Sequence, residues 1–311
     1  MKKLGYVFAL LGATLATGAS AQNIKLMTGP QGGSWYPLGG AIQNLVESNM
    51  SGATVQVLPG AGIANVKAVE AGKADMAFAN SVSTVDAING KPPFDSAAKD
   101  VCNVATLYPQ YFQVVVTADS GLNTPADFKG KAGAIQPKGN TGEAIALHML
   151  QAYGLDYDAL SRANFGSYTD SVSLMKDGNA DFFALGTTVP SGAVMDLASA
   201  RPIKIMAIDD AGLAAMKKLN PGYNRIMVKA GSYPGQDADV PTIGYATHVI
   251  ARCSLDAEVV YGVLKNMTAN VPDLAAIAKA MQGMTPADMA MDIGVPLHEG
   301  ATKFYTEAGA L

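Results

Sequence analysis

Charge is scarce in this chain. Asp, Glu, Lys and Arg make up only 15% of its 311 residues, and acidic side chains outnumber basic ones 26 to 22. A nucleic-acid surface needs a basic stripe, and none is present. Histidine occurs three times, as His148, His248 and His298, about 100 and 50 residues apart. With no H-E-x-x-H and no C-x-x-C, the usual metal-ligand spacings are absent. Neither Gly-rich turn reads G-x-G-x-x-G, and Gly32-Gly33-Ser34-Trp35 lacks the G-x-S-x-G elbow of a hydrolase. No cofactor is implied. Beyond the first residues no apolar run approaches the roughly 18 needed to span a membrane. The two cysteines, Cys102 and Cys253, permit one disulfide in an oxidising compartment or two buried thiols. What is plentiful is apolar residues (49%) and glycine (33 in all), enough for an ordinary core and too much for a disordered chain.

The N-terminus has three regions. Met1-Lys2-Lys3 is basic, residues 4–15 are apolar, and Ala19-Ser20-Ala21 forms an A-x-A site. Together they predict a secretory signal peptide over residues 1–21, cleaved after Ala21. No cysteine follows the cleavage site to accept a lipid. The exported chain then starts at Gln22 with 20 basic and 26 acidic groups, and its length suggests two lobes.

An internal echo supports two lobes of like construction. Gly29-Pro30-Gln31-Gly32-Gly33-Ser34 is answered by Gln136-Pro137-Lys138-Gly139-Asn140-Thr141. At nearly the same offset, Gly72-Lys73-Ala74-Asp75 with Asn80-Ser81 is answered by Gly178-Asn179-Ala180-Asp181 with Gly186-Thr187. Asp75 and Asp181 precede apolar strands and are expected to be turn residues that mark architecture.

Strands are predicted over 24–28, 54–58 and 75–79 in the first lobe and over 132–135, 163–165 and 181–185 in the second, with helices between them. Alternating elements with nearly continuous apolar strands predict parallel α/β sheets. A strand over 203–208 is expected to return to the first lobe. Lobe one is thus residues 22–116 and 209–311, lobe two is 117–208, and the crossings near 115–119 and 207–210 form a hinge.

Ligands bind beyond the carboxyl ends of parallel strands, where helix N-termini point. Helices starting near Ser34, Gly62, Thr141 and Thr187 or Ser191 would aim at such a cleft, and their free N–H groups favour an anion. Ser34 and Thr141 suit N-caps, either alone or while also touching ligand. Trp35 and Tyr36 cannot both point into the core, so one of them is expected at the cleft. Asn65 is expected to face outward from the second helix start and Asn80 to end the third strand, both suited to a carboxylate or amide. Lys138 is the one cation in a cleft loop. His148 is expected on a partly buried helix face.

Residues 28–40 resemble the opening motif of the TAXI solute-binding proteins of TRAP transporters. Ala71-Gly72-Lys73-Ala74-Asp75-Met76-Ala77-Phe78, Leu107-Tyr108-Pro109, Ala126-Asp127-Phe128-Lys129-Gly130-Lys131 and Leu297-His298-Glu299-Gly300-Ala301 fit the same family in order. The resemblance implies a type II periplasmic binding-protein fold, monomeric, that closes on a small organic anion (a dicarboxylate, 2-oxo acid or acidic amino acid such as glutamate). It also implies delivery to a TRAP permease. The family's ligand loops correspond here to Gly33, Ser34, Trp35, Tyr36, Asn65, Asn80, Ser81, Gly139, Asn140, Thr141, Thr187 and Thr188. Trp35 replaces the family's usual Tyr, and the loops around Ala64 and Asn140 also depart from its pattern. Alternatives on other grounds are a receptor for an ABC importer of the same fold, or a periplasmic enzyme using Ser34 or His148.

Overall fold

The computed structural model describes residues 22–220 and 222–311; the predicted signal peptide lies outside the described residues. The chain opens with β1 (Gln22–Met27), α1 (Trp35–Asn49), β2 (Ala53–Leu58), α2 (Gly62–Glu70), β3 (Met76–Asn80), α3 (Ser81–Ile88) and the long strand β4 (Cys102–Thr117). It continues through β5 (Ala132–Ile135), α4 (Thr141–Ala152), β6 (Arg162–Phe165), α5 (Tyr168–Lys176), β7 (Phe182–Thr187) and α6 (Gly192–Ala200). Then come β8 (Ile203–Ile205), α7 (Asp210–Leu219), β9 (Asn224–Val228) and a second long strand, β10 (Val240–Ala251). The helices α8 (Ala257–Ala269), α9 (Val271–Ile277), α10 (Pro286–Met289) and α11 (Glu299–Glu307) follow.

The strands form one path in the order β2-β1-β3-β10-β4-β7-β5-β6, with β8 on β4 and β9 on β10. Each half is the other's counterpart: β1, β2 and β3 run parallel, as do β5, β6 and β7. The expectation of parallel sheets fails at β4 and β10, which run antiparallel to β7 and β3 and to each other. A chain that leaves one lobe and returns must run two strands against the rest.

The repeated Asp residues do more than close helix ends. Asp75 Oδ2 accepts the Lys25 N–H at 2.9 Å, and Asp181 Oδ2 accepts the Ala132 N–H at 2.7 Å. Each carboxylate therefore pins its lobe's central strand, partway along β1 and at the start of β5. Gly72 and Gly178, at the preceding helix ends, have φ of 65° and 72°, a region glycine enters without penalty.

Packing moves the lobe boundaries. One core joins Leu26, Leu38, Ile42, Val46 and Phe78 to Val104, Tyr108, Val249 and Leu264. A second joins Phe112, Val114, Ile145 and Phe182 to Met206, Met216, Tyr223, Ile243 and Tyr245. A third, built on Val115, Phe183 and Leu197, includes Val228 and Tyr233. β4 thus changes core between Tyr108 and Phe112, and β10 changes back between Tyr245 and Val249. The segment over 203–208 does not return to lobe one, because short β8 pairs with the lobe-two end of β4. α7 packs with α4, so residues 209–245 belong to lobe two. Cys102, at the start of β4, is bonded to Cys253, just beyond β10.

Candidate functional site

The ends of β1, β3 and β7 and the starts of α1 and α4 converge between the lobes on a small cavity. Gly29, Pro30, Gly33, Ser34, Trp35 and Asn80 line it from lobe one, and Asn140, Tyr168, Gly186 and Thr187 from lobe two. Gln110, at the crossing of β4, also lines it and donates Nε2–H to Thr247 Oγ1 of β10 at 2.7 Å. No charged side chain lines it. Its free internal volume is about 20 Å³, room for one water molecule.

Two side chains that line this cavity bury a polar atom: Trp35 Nε1, which lies beside the Tyr108 hydroxyl, and the acceptor Asn80 Oδ1, which has no partner. Trp35 is 5% exposed and stacks on Phe78, ring centroids 5.7 Å apart. A buried polar group normally finds a partner, because leaving it bare costs roughly 1–3 kcal/mol. Ser34 caps no backbone N–H; its hydroxyl lies 3.4 Å from that of Tyr108. Asn140 is the cap of α4, accepting the Gly142 N–H at 2.9 Å. On the lobe-two wall Tyr168 donates to the Gly186 carbonyl at 2.6 Å and accepts from Gln136 Nε2. Burial raises the Tyr108 and Tyr168 hydroxyls well above the usual phenol range, so both stay neutral.

The structure gathers Gly33, Ser34, Trp35, Asn80, Asn140 and Thr187 at the cavity and sends the other expected residues elsewhere. Tyr36 is 41% exposed on the outer side of α1. Asn65 is wholly buried rather than facing outward. Its Nδ2 donates to the Thr28 and Phe78 carbonyls (2.7 and 2.8 Å), and its Oδ1 accepts the Ala61 N–H at 3.0 Å. This side chain is a fully buried strut with both of its N–H donors taken. Lys138 pairs with Glu143 at 2.9 Å and lies over the rings of Tyr157 and Phe165, away from the cavity. The Ser81 hydroxyl accepts the Ala246 N–H at 3.1 Å, and the Thr188 carbonyl accepts from Gln113.

Gly139 and Thr141 hold the two lobes together. The Gly139 carbonyl accepts the Ala64 N–H at 3.0 Å, so lobe two occupies the start of α2 that was expected to face ligand. Thr141 Oγ1 lies 2.8 Å from Ser83 Oγ and packs so closely on Gly62 that a Cβ there would collide with it. The hydroxyl at the start of α4 therefore bridges lobes instead of capping.

Gln110, Tyr168, Gly29, Pro30 and Gly186 are site residues the sequence analysis did not assign. Gly29, Pro30 and Gly186 lay in the repeated segments and Gln110 beside the Leu107-Tyr108-Pro109 motif; Tyr168 carried no signal. Of the two residues of the enzyme alternative, Ser34 lines this cavity, whereas His148 lines another and hydrogen-bonds Tyr223. Among the described residues no cluster of three or more His, Cys, Asp or Glu could hold a metal. No helix there is long and apolar enough to cross a membrane.

A sequence profile of NMT1-like proteins matches residues 26–309. The chain belongs to the NMT1-like family. This NMT1-like chain is also similar in structure to PhnD1 of Prochlorococcus marinus in complex with methylphosphonate (TM-score 0.54, 13% identity, covering 94% of this chain and 100% of that one). It is similar to the alkanesulfonate-binding protein SsuA of Xanthomonas axonopodis pv. citri bound to MOPS (TM-score 0.50, 16% identity, 91% and 83%). A third likeness is to XAC2383 of Xanthomonas citri bound to ATP (TM-score 0.50, 13% identity, 93% and 96%). The NMT1-like chain thus has the α/β fold of type II periplasmic binding proteins.

Proposed function

We propose that this protein is a periplasmic solute receptor, not an enzyme, that closes on a small organic anion and delivers it to a TRAP permease. The observation that carries this reading is the charge-free interlobe cavity, walled by neutral polar groups and by the buried, unpartnered amide oxygen of Asn80. An anion there would be held by neutral donors and by the start of α1, where free backbone N–H groups and the helix dipole favour negative charge. The Asn80 amide serves either polarity, because rotation about χ2 exchanges its oxygen and nitrogen. Among acids, dicarboxylates and 2-oxo acids fit better than glutamate, since no lining carboxylate meets an α-ammonium group.

The solved proteins of like fold carry phosphonate or sulfonate ligands in two cases, so those head groups belong in the test. The intrinsic fluorescence of Trp35, the only tryptophan, is titrated with dicarboxylates, 2-oxo acids, acidic amino acids, methylphosphonate and short sulfonates. A saturable change with one class, and recovery of the compound unchanged, is the expected result. Silence across the panel by both fluorescence and thermal melting would overturn the anion reading, and chemical turnover would overturn the receptor reading.

A further inference from the structure

A second interlobe pocket lies beside the polar cavity. Asn80 and Asn140 line the cavity, while Ser83, three residues on in α3, and Thr141, the residue after Asn140, line the pocket. The Ser83 and Thr141 hydroxyls lie 2.8 Å apart on the pocket side. The pocket's free volume is about 300 Å³ against about 20 Å³ for the cavity. It is the size of a small-molecule compartment.

The polar accounting of the two spaces is opposite. At the cavity, Asn80 Oδ1 lacks a partner. Around the pocket the polar side chains have found partners in each other or in the backbone. Asp86 accepts from Asn220 at 2.7 Å, His148 Nδ1 lies 2.6 Å from the Tyr223 hydroxyl, and Lys67 donates to the Pro93 carbonyl at 2.8 Å. Glu143 is met by Lys138 and by the Tyr157 hydroxyl. An apolar occupant would therefore strip no polar group of its main partner, and Ile63, Val82, Ala144 and Leu147 offer it apolar walls.

We infer that the ligand is an elongated amphiphile, with a polar head in the cavity and an apolar body of several carbons in the pocket. This rests on the receptor reading above and names the ligand class of the same cleft. The body enters while the lobes are open, and the Ser83–Thr141 hydrogen bond re-forms beside it on closure. Burial of the body between lobes then adds to the closure that the head begins.

The test is a homologous series of linear monocarboxylates and monosulfonates of two to eight carbons, titrated against the whole mature protein by calorimetry. Affinity is expected to rise about three- to fourfold per methylene until the pocket is full. Ala144→Trp, which fills the pocket from α4, should flatten that rise and leave the shortest binding member unchanged. Should that variant fail to fold, Leu147→Asn sets a polar side chain in the apolar wall and should reduce the slope alone. Short members binding with no dependence on length would overturn the amphiphile inference and leave the receptor reading intact. If no member bound while a compact dicarboxylate or 2-oxo acid did, the inference would again fail alone. Silence from all of these compounds would sink both.

Discussion

The carboxamide of Asn65 joins the end of β1, the end of β3 and the entry to α2 through three hydrogen bonds. Asn65→Ala would leave two carbonyls and one N–H bare in a fully buried place, at roughly 1–3 kcal/mol for each group not rescued by relaxation. A fall of about 2–4 kcal/mol in urea-measured stability is expected, with ligand affinity per folded molecule little changed. Asn140→Ala should behave differently. It removes a cap, worth about 1 kcal/mol, and also a cavity-lining amide, so affinity should drop about tenfold or more, equivalent to roughly 1.4 kcal/mol. Asn140→Ser, which keeps capping chemistry, should retain stability and still bind weakly. His248 supplies a third test. Fully buried between Thr84 and Asn103, its imidazole is driven by desolvation down to about 3 from an ordinary 6.5. The unfolded chain then binds a proton that the folded chain refuses between those two values. Stability should fall as pH drops from about 6.5, by up to ~1.4 kcal/mol per pH unit. Denaturation midpoints at pH 7, 6, 5 and 4 would show it, and His248→Gln should flatten the slope above pH 5. These residues also show where sequence reading reaches its limit. Ser34, Trp35, Asn80 and Asn140 were legible because glycine-rich turns and strand ends give position away. Asn65 misled because sequence spacing gives a helix start but not which way its side chain points. Tyr168 was invisible because its role depends on Gln136 and Gly186, contacts that only the folded chain creates.

At the scale of elements, β4 and β10 deserve comparison with the shorter strands. The six strands of the two parallel triplets announced themselves by repeating, and the Asp75 and Asp181 carboxylates show why the repeat had to keep its acid. β4 and β10 have no counterpart motif. Their apolar runs are interrupted at Pro109-Gln110 and Gly244-Tyr245-Ala246, so neither shows as one long strand, and the sequence places the crossings near 115–119 and 207–210 instead. In the sheet each is continuous because it serves two cores in turn, and no periodic motif in the sequence announces their pairing. The disulfide fastens this pair at one end, where Ala251 lies opposite Cys102. Cysteines 151 residues apart close a long loop, for which a chain-entropy estimate gives roughly 4–5 kcal/mol and measured cases typically 2–4. The Cys102→Ala/Cys253→Ala double variant should therefore lose about 2–4 kcal/mol of stability. Because the bond lies at the far end of the strands from the cavity, ligand affinity should be unchanged. A loss of affinity equal to the loss of stability would show instead that the bond sets the hinge.

On the receptor function proposed above, activity depends on the balance between open and closed lobes, to which single interlobe hydrogen bonds add little. The Ala64–Gly139 and Ser83–Thr141 hydrogen bonds and the Asp86–Asn220 pair all cross between lobe one and lobe two. Opening would return every one of these groups to water, so each bond favours closure only by its net value, about 0.5–1.5 kcal/mol. That leaves ligand to supply the rest of the bias, as a receptor requires. Thr141→Val tests this balance because it is nearly isosteric and acts on one state. In the closed form it leaves the Ser83 hydroxyl buried and bare; in the open form water satisfies it. Closure should weaken by about 1–2 kcal/mol, and apparent affinity should fall roughly 5–30-fold through the smaller closed fraction. Unfolding of the ligand-free protein should change little if it is open in solution. Adding Ser83→Ala removes both partners, so the double variant should recover part of the affinity, a non-additivity that loss of a direct ligand contact would not produce. Small-angle scattering with saturating ligand should give the same compact radius for wild type and both variants, since the substitutions change how often the lobes close and not the closed form itself.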